Sequence, residues 1–276
     1  MKVALATVRP KIADKQANIK TMEQYINKTK ADLYIFPELM LTGYRCKDEL
    51  RNLAEPLNGP AIKQLKKISE NKNASIVFGM PTTHKITGLI HNSAVLIQPN
   101  GKVGAYNKWF LPTFGPFEEK LFFNEGENLP VFKTKHGTIG LLVCYDLFFP
   151  ELAKSLTLQG AELIIYLSAT PSVNRKYFET LIPARAVENT TYVIYVNIVG
   201  TQDDLVFWGG AQAYNPLGKQ IKKAPYYKQS LITIDIDFTK IQQARAARPV
   251  IRDVRPEIFH DLYHIARYNK KQKKHI

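Results

Sequence analysis

The sequence contains few cysteines and no long apolar run. Its 276 residues include only two cysteines, Cys46 and Cys144, which excludes a disulfide framework and leads us to expect a reducing, cytoplasmic setting. No apolar stretch approaches the ~20 residues that a membrane-spanning helix requires, so we expect no membrane partner. Residues 1–6 lack the pattern of a secretory leader, and we expect none.

Several motifs that are typical of a particular chemistry are also missing. The sequence has no G-x-S-x-G, no G-x-G-x-x-G, no P-loop, no H-E-x-x-H and no C-x-x-C, which argues against a serine hydrolase, a dinucleotide enzyme and a zincin. His260 and His264 lie four residues apart on a predicted helix and could form half a metal site. No third ligand lies near them in the sequence, so we favour an ordinary surface pair and expect neither a metal nor a cofactor.

What the sequence does contain is an ordinary globular mixture, with 45% apolar and 22% charged residues. A chain of this length buries about 70–75% of its unfolded surface, enough for a deep core. Apolar strand patterns alternate with helical patterns, and no low-complexity linker or internal repeat divides them. The mixture of βα units and hairpins predicts one layered domain of the α/β or α+β class with mixed sheets.

The predicted elements follow from apolar periodicity and from capping and turn residues. Asp14 is predicted to cap one helix, Pro60 to begin another, and Asp237 to cap a third. A further helix over 148–159 is predicted to end at Gly160, another covers about 176–189, and residues 99–101 predict a hairpin turn. Strands are predicted over 3–8, 33–36, 75–79, 89–98, 102–106, 138–143, 163–167, 192–197, 206–214 and 231–236.

Three chemically versatile residues each follow a predicted strand. Cys144 lies where a buried strand ends and a helix begins, a place where unpaired N–H groups and the helix dipole lower a thiol pKa and stabilise an oxyanion. Most lone cysteines are simply small buried hydrophobes, so this segment alone leaves the alternative open. Glu38 and Lys108 also follow strands, and a carboxylate at a buried strand end is costly unless it is paired or functional.

Three segments in order resemble the nitrilase, or carbon–nitrogen hydrolase, superfamily. They are Phe-Pro-Glu-Leu-x-Leu-Thr-Gly-Tyr at 36–44, Lys-x-x-Leu-Pro at 108–112 and Cys-Tyr-Asp-x-x-Phe-Pro-Glu at 144–151, with further matches at 184–189, 207–210 and 215–218. The resemblance extends to about residue 257. It implies a four-layer α-β-β-α sandwich with two mixed β-sheets, commonly assembled as a homodimer or a higher homo-oligomer.

The resemblance also implies a role for each of five residues. Cys144 would be the nucleophile, Glu38 the general base and Lys108 the electrostatic partner of the tetrahedral intermediate. The backbone N–H of Tyr145 would complete the oxyanion site. The family has a second glutamate eleven residues after the lysine, which here is Glu119 rather than its neighbour Glu118, and it would position Lys108 and the substrate amide.

The branch of the family is indicated by Cys-Tyr-Asp, which resembles amidases and carbamoylases more than true nitrilases. Other stretches resemble the glutaminase domain of glutamine-dependent NAD synthetase, whose pocket positions correspond here to Tyr44, Phe114, Phe148 and Ser168. Core packing is the alternative for these aromatic residues. Phe114 stands where that domain usually has tyrosine, and a site without this hydroxyl could discriminate against glutamine.

Two more expectations concern that branch. The 276 residues leave no room for an ATP-using synthetase domain, so we expect that the chain does not itself make NAD. Arg175 and Lys176 are predicted to lie in a loop, where they could bind a substrate carboxylate or simply be solvated.

The leading hypothesis is therefore a thiol amidohydrolase that cleaves a small linear amide, an ω-amide or a glutamine-like compound, to carboxylate and ammonia through a cysteine thioester. The alternative within the family is N-carbamoyl amide hydrolysis. The rival from another class is a nucleic-acid-binding protein on a degenerate hydrolase scaffold. We disfavour nucleic acid as a partner because the catalytic set is intact and positive charge alone is weak evidence.

The net charge of +14 is concentrated near the C-terminus. From residue 240 to residue 276 the sequence has ten basic and three acidic residues, which gives +7, half of the total. The segment after about residue 240 need not belong to the core, and residues 270–275 are predicted to be solvated. We therefore predict a hydrolase domain over 1–257 and a basic tail over 258–276.

Overall fold

Helices and strands alternate along the chain in the computed structural model, which describes residues 1–84 and 86–272. The helices of the described residues are α1 Lys15–Asn27, α2 Leu50–Leu53, α3 Pro60–Lys72, α4 Glu119–Phe122, α5 Pro150–Leu158, α6 Arg175–Val187, α7 Thr239–Ala247 and α8 Pro256–Gln272. The strands are β1 Lys2–Thr7, β2 Leu33–Ile35, β3 Ser75–Thr83, β4 Ile90–Ile97, β5 Val103–Asn107, β6 Val131–Lys133, β7 Thr138–Val143, β8 Leu163–Ser168, β9 Tyr192–Asn197, β10 Val199–Gln202, β11 Leu205–Trp208, β12 Gln212–Tyr214, β13 Gln220–Lys223 and β14 Ser230–Asp235.

The strands form two six-stranded sheets with the same pattern of pairing. The first has the order β14-β1-β2-β3-β4-β5 and the second the order β13-β12-β9-β8-β7-β6, while β10 and β11 form a separate hairpin. In each sheet three neighbouring strands are parallel, β1-β2-β3 in the first and β7-β8-β9 in the second, and the flanking pairs are antiparallel. Both sheets are therefore mixed, as predicted.

The two sheets pack face to face and each carries helices on its outer face. Leu5 and Ile35 of the first sheet share one apolar cluster with Leu141 and Ile165 of the second. A second cluster joins the other face of the first sheet to α1 and α3, and residues of α5 and α6 pack on the second sheet. The four-layer α-β-β-α sandwich implied by the sequence resemblance is confirmed.

Local sequence signals explain many element boundaries. The Asp14 side chain accepts a hydrogen bond from the Ala17 N–H at 2.9 Å, which caps α1. Pro60 occupies the first turn of α3, where no N–H partner is needed. Gly101, with φ of 79°, makes the turn between β4 and β5, and Gly160, with φ of 97°, follows the end of α5.

Some predicted boundaries are wrong. The strand predicted over 206–214 is broken into β11 and β12, because Gly209 and Gly210 adopt φ angles of 66° and 62°, which lie outside the β region and turn the chain. The helix predicted from 148 begins at Pro150, because residues 144–148 form a separate 3₁₀ turn. Asp237 accepts from the Thr239 N–H at 3.1 Å, so it lies two residues before the helix that begins there.

The segment after residue 240 does not all lie outside the core. Ile241 and Ala244 on α7 are buried, and Ile241 belongs to the main apolar cluster. Helix α8 is exposed along its length up to residue 269, with Phe259 and Leu262 among its exposed apolar side chains. The predicted boundary at 257/258 stays a prediction, and residues 273–275 of the predicted solvated end lie outside the described residues. No helix of the described part is both long and apolar enough to cross a bilayer.

A glycine in β3 lets the segment that follows β2 lie directly against the sheet. A Cβ atom at Gly79 would lie 2.2 Å from the Leu39 nitrogen and 2.6 Å from the Glu38 Cα. The Gly79 N–H donates to the Pro37 carbonyl at 3.0 Å, and the Gly79 carbonyl accepts from the Leu41 N–H at 3.1 Å. The backbone around Glu38 therefore lies so close to β3 that only glycine fits at position 79.

We expect Gly79→Ala to lower the free energy of unfolding by about 3 kcal/mol, because the added methyl group overlaps backbone atoms that cannot yield. The measurement is urea unfolding followed by circular dichroism. Gly88→Ala is the control: its φ is 68° and no atom of the described residues lies within 4 Å of an added Cβ, so it should cost only about 1 kcal/mol. Equal losses for the two variants would contradict the prediction.

Candidate active site

Strand ends of both sheets meet at one edge of the sandwich. Glu38, Lys108 and Cys144 follow β2, β5 and β7, while Ser168 is the last residue of β8. Strands β2, β7 and β8 lie in the parallel parts of their sheets, and β5 runs in the same direction as β3 because two antiparallel steps separate them. The carboxyl ends of these strands therefore point the same way, which is why residues distant in sequence come together.

Lys108 lies fully buried between two carboxylates. Its Nζ atom is 3.2 Å from Glu38 Oε1 and 2.8 Å from both oxygens of Glu119. Glu38 and Lys108 expose none of their surface and Glu119 exposes 3%. An unpaired buried charge is costly, so each of these groups is tolerated only because the others accompany it.

Burial and charge act in opposite directions on this triad of Glu38, Lys108 and Glu119. Burial alone would lower the pKa of Lys108, but Glu119 and Glu38 hold that pKa above its ordinary value. Burial raises the pKa of Glu119 to about 7, although Lys108 opposes the rise. We conclude that Lys108 stays protonated at neutral pH and is the fixed positive charge of the site.

Both carboxylate oxygens of Glu38 are held by further donors. Oε1 accepts from Asn92 Nδ2 at 2.7 Å, and Oε2 accepts from the backbone N–H of Ala169 at 2.6 Å. Ala169 follows β8 of the second sheet, so Glu38 of the first sheet is tied across to the second. The orientation of the carboxylate is therefore fixed before any ligand arrives.

Cys144 lies at the junction of β7 and the 3₁₀ turn Cys144–Phe148. Its φ is 48°, a left-handed conformation that costs a non-glycine residue about 1–2 kcal/mol. Its Sγ atom is 3.5 Å from Thr170 Oγ1, which is itself 2.5 Å from Ser168 Oγ. The turn points the thiol out of the strand and towards the triad and these hydroxyl groups.

The expectation of a lowered thiol pKa is wrong. Burial raises the pKa of Cys144 to about 12, and the negative charge of Glu38 adds to the rise while Lys108 opposes it. The turn after Cys144 has only five residues, and the dipole of so short a turn does not offset the loss of hydration. The free thiol is therefore protonated at neutral pH and needs a base to become nucleophilic.

Asp146 connects the strand that carries Cys144 to the segment that carries Lys108. Its Oδ2 atom accepts from the Val143 N–H at 3.0 Å and from the Tyr106 hydroxyl at 2.8 Å, and its Oδ1 atom accepts from the Phe110 N–H at 3.1 Å. Burial raises the pKa of Asp146 to about 6. One buried carboxyl group thus fixes the position of the Cys144 segment relative to the Lys108 segment.

The structure places the four predicted substrate-binding residues in three different positions. The hydroxyl of Tyr44 donates to Glu119 Oε1 at 2.8 Å. Phe114 and Phe148 line a cavity of about 250 Å³ above Cys144. Ser168 is buried beneath Thr170 and does not line that cavity.

Tyr145 and the adjacent glutamates Glu118 and Glu119 lie in different surroundings. Tyr145 lines the cavity and occupies the first turn after Cys144, where backbone N–H groups have no partner within the turn. Glu119 is buried in the triad, whereas Glu118 is exposed. The two glutamates, of which the resemblance implied Glu119, therefore occupy different environments.

Three polar residues of this site do not appear among the sequence predictions. Asn92 holds Glu38, Thr170 contacts the thiol, and Asn197 brackets the Thr170 backbone, accepting from its N–H at 2.8 Å and donating to its carbonyl at 3.1 Å. All three are fully buried. The available signal was a polar residue in a strand rich in apolar residues: Asn92 lies within β4 and Asn197 ends β9.

The remaining sequence candidates lie elsewhere. In the part of the chain that the structure describes, no three His, Cys, Asp or Glu side chains group as metal ligands. His260 and His264 are exposed on α8 with their Nε2 atoms 3.0 Å apart. Arg175 and Lys176 are not in a loop but in the first turn of α6.

Comparison with known proteins identifies the family. A model of the family described as "Carbon-nitrogen hydrolase" matches residues 2–246. The chain belongs to this family. The resemblance to the nitrilase superfamily is thereby confirmed, and the protein is an amidase- or nitrilase-like carbon–nitrogen hydrolase.

Individual relatives cover most of this carbon–nitrogen hydrolase. It is 31% identical over 249 residues to a probable nitrilase of Schizosaccharomyces pombe, covering 86% of this chain and 90% of that protein. It is 31% identical over 273 residues to the glutamine-dependent NAD(+) synthetase of Acinetobacter baylyi, covering 95% of this chain but 49% of the synthetase. A mutant amidase of Nesterenkonia sp. AN1, with the acetamide moiety of fluoroacetamide covalently added at its active-site cysteine, has a TM-score of 0.82 and 26% identity, with 95% and 97% of the two chains covered.

The raised thiol pKa leads to a spectroscopic prediction. At about pH 8.5 an ordinary cysteine is half ionised, but the difference in ultraviolet thiolate absorbance between wild type and Cys144→Ala should be close to zero. Cys46 is common to both proteins and cancels. A difference equal to half a thiolate or more would contradict the prediction.

The same shift has a defined effect on stability. Because the Cys144 thiol ionises in the unfolded chain before it ionises in the folded protein, its contribution to the free energy of unfolding is complete below about pH 8.5 and falls as the pH rises towards 12. Wild type should therefore lose stability more steeply than Cys144→Ala above that pH. If the free energy of unfolding in urea falls equally with pH in the two proteins, the prediction is wrong.

Proposed function

We propose that this carbon–nitrogen hydrolase cleaves a small linear amide to a carboxylate and ammonia through a thioester on Cys144. The observation that carries the proposal is the fully buried triad beside a protonated thiol, with Glu38 Oε1 and Lys108 Nζ 3.2 Å apart. It supplies a base and a fixed cation at one place, which acyl transfer requires. The acetamide adduct of the Nesterenkonia amidase at its active-site cysteine supports the same chemistry here.

In the acylation step the Cys144 proton passes to Glu38 as Sγ forms a bond to the amide carbon. This transfer leaves the net charge of the site unchanged, so it needs no charged partner from solvent. The carbonyl oxygen becomes an oxyanion, which Lys108 Nζ and the Tyr145 N–H stabilise. The proton then moves from Glu38 to the amide nitrogen, the C–N bond breaks, ammonia leaves and a thioester remains.

In the deacylation step water replaces ammonia. Glu38 takes a proton from the water molecule while the water oxygen attacks the thioester carbon. The C–S bond breaks, the proton returns from Glu38 to sulfur, and the product leaves as a carboxylic acid, which gives up its remaining proton to solvent or to the released ammonia and becomes the carboxylate. Glu119 touches Lys108 and Tyr44 and has a positioning role, because it holds the ammonium group where the oxyanion forms.

The finer assignments belong to this proposal. The substrate would be a small linear amide, for which ω-amides and amides with an apolar acyl group are the candidates, and the same steps would act on an N-carbamoyl compound, for which carbon dioxide would accompany ammonia. The protein would act as a homodimer or higher homo-oligomer. Its two cysteines, both buried and free, suit a reducing compartment such as the cytoplasm.

The proposal predicts that Cys144→Ala abolishes ammonia release from a panel of linear amides, because no other group can form the thioester. Cys46→Ala is the matched control, since Cys46 is equally buried but its sulfur hydrogen-bonds the Thr42 and Gly43 carbonyls and lies in a separate apolar cluster. It should retain the wild-type rate within a few fold. Intact-mass measurement should also find the acyl group on wild type and Cys46→Ala only. Equal ammonia release by Cys144→Ala and wild type would contradict the proposal.

The two adjacent glutamates give a second test. Glu119→Gln should lower kcat about 10²-fold with a smaller change in KM, because Lys108 loses the charge that fixes its position. Glu118→Gln should leave both constants unchanged, since Glu118 is exposed. Circular dichroism would establish that both variants fold. Indistinguishable kcat values for the two variants would rule out the positioning role.

A further inference from the structure

The cavity above Cys144 is aromatic and carries no formal charge on its walls. Its volume is about 250 Å³, and six of the ten residues that line it are aromatic: Phe114, Phe117, Tyr145, Phe148, Tyr177 and Phe178. None of the ten is a lysine, arginine, aspartate or glutamate, so the charges of the site lie beneath the thiol and not around the space above it.

The rings form a continuous surface. Tyr145 lies with its ring centroid 5.2 Å from Phe114 and 5.4 Å from Phe148, and Phe148 lies 5.5 Å from Phe178. Such edge and tilted contacts are the favoured geometries of aromatic pairs. A flat apolar group entering the cavity would meet ring faces and edges on several sides.

The mouth of the cavity exposes large apolar surface. Tyr177 is 60% exposed, Phe114 52% and Phe148 37%. Exposed apolar groups that cluster at a concave site mark a place where a ligand covers them. The three rings lie on separate segments, which the fold brings together at the entrance to Cys144.

Arg175 and Lys176 are the cations nearest in sequence to the cavity wall, and neither forms a binding site for a substrate carboxylate. The Arg175 guanidinium lies 4.7 Å from the centre of the Tyr226 ring and 3.9 Å from Glu179. Glu179 also accepts from Lys223 and from the Tyr226 hydroxyl. Lys176 is exposed and does not line the cavity. Arg175 is thus engaged by its own neighbours.

We propose that the acyl part of the substrate is uncharged and apolar, such as an aryl or arylalkyl group, and that the protein discriminates against glutamine. This inference rests on the proposed amidase function. The α-ammonium and α-carboxylate groups of glutamine would lose water against aromatic walls that offer no counter-charge. An apolar ring instead exchanges water for aromatic contacts, and unpaired polar groups are what sites reject most strongly.

Binding to Cys144→Ala tests the proposal without turnover. We expect phenylacetamide to bind this variant at least about 10²-fold more tightly than L-glutamine in isothermal titration calorimetry. Glutamine binding as tight as that of phenylacetamide would overturn the inference. Because the measurement does not depend on thioester formation, it decides the matter even if the amidase proposal itself fails.

Turnover measurements on variants then show which residue of the cavity discriminates between substrates. Tyr177→Ala should raise KM for phenylacetamide about 10-fold and change KM for propionamide little, because only the larger group reaches the exposed ring. Lys176→Ala, altered at the preceding residue, should leave both values unchanged. If Lys176→Ala instead weakens glutamine cleavage selectively, a carboxylate site exists and the inference is wrong. If wild type and Cys144→Ala release ammonia equally, the amidase proposal fails separately.

Discussion

One buried ammonium group constrains the whole edge of the sandwich. Lys108 has no access to water, so its charge can be retained only if carboxylates surround it, and Glu38 and Glu119 do so within 3.2 Å. Those carboxylates in turn need further donors, which Asn92, the Ala169 backbone and Tyr44 supply. The fold around the site is therefore organised to satisfy a chain of polar groups that starts from a single lysine.

The two sheets divide the site between them. The first sheet and its loops carry both glutamates and the lysine, while the second carries Cys144, Thr170 and the N–H that holds Glu38. Asp146 reaches back from the second sheet to the Tyr106 hydroxyl and the Phe110 N–H. The relative position of the sheets thus sets the distance between thiol and base, and the apolar cluster between the sheets keeps that position fixed.

Much of this could be predicted from the sequence, and the failures have physical reasons. The strand patterns, the cap at Asp14 and the turn at Gly101 are local signals, and the local structure follows them. The family resemblance implied Glu119 rather than Glu118, and the Glu119 carboxylate is the one that lies against Lys108. The broken strand at Gly209 and Gly210 was missed because apolar periodicity does not register backbone conformation.

Other misses concern contacts between distant segments. The thiol pKa of Cys144 was misjudged because local sequence indicates a turn dipole but not the extent of burial or the approach of Glu38 across the sheets. Asn92 and Asn197 gave only a weak signal, polarity within apolar strands. The absence of charge around the cavity depends on three segments meeting, 112–117, 144–148 and 170–178, and it becomes visible only in three dimensions.

The edge strand β14 has a consequence for how the protein is made. It pairs antiparallel with β1, and the Met1 ammonium group donates to the Ile236 carbonyl at 2.8 Å. During synthesis the first strand leaves the ribosome long before its partner, so one edge of the first sheet stays open until residues 230–236 emerge. An open strand edge readily pairs with other chains. Assembly of this sheet therefore waits for residues 230–236, and a chain interrupted before them would leave this strand edge free to pair with other chains.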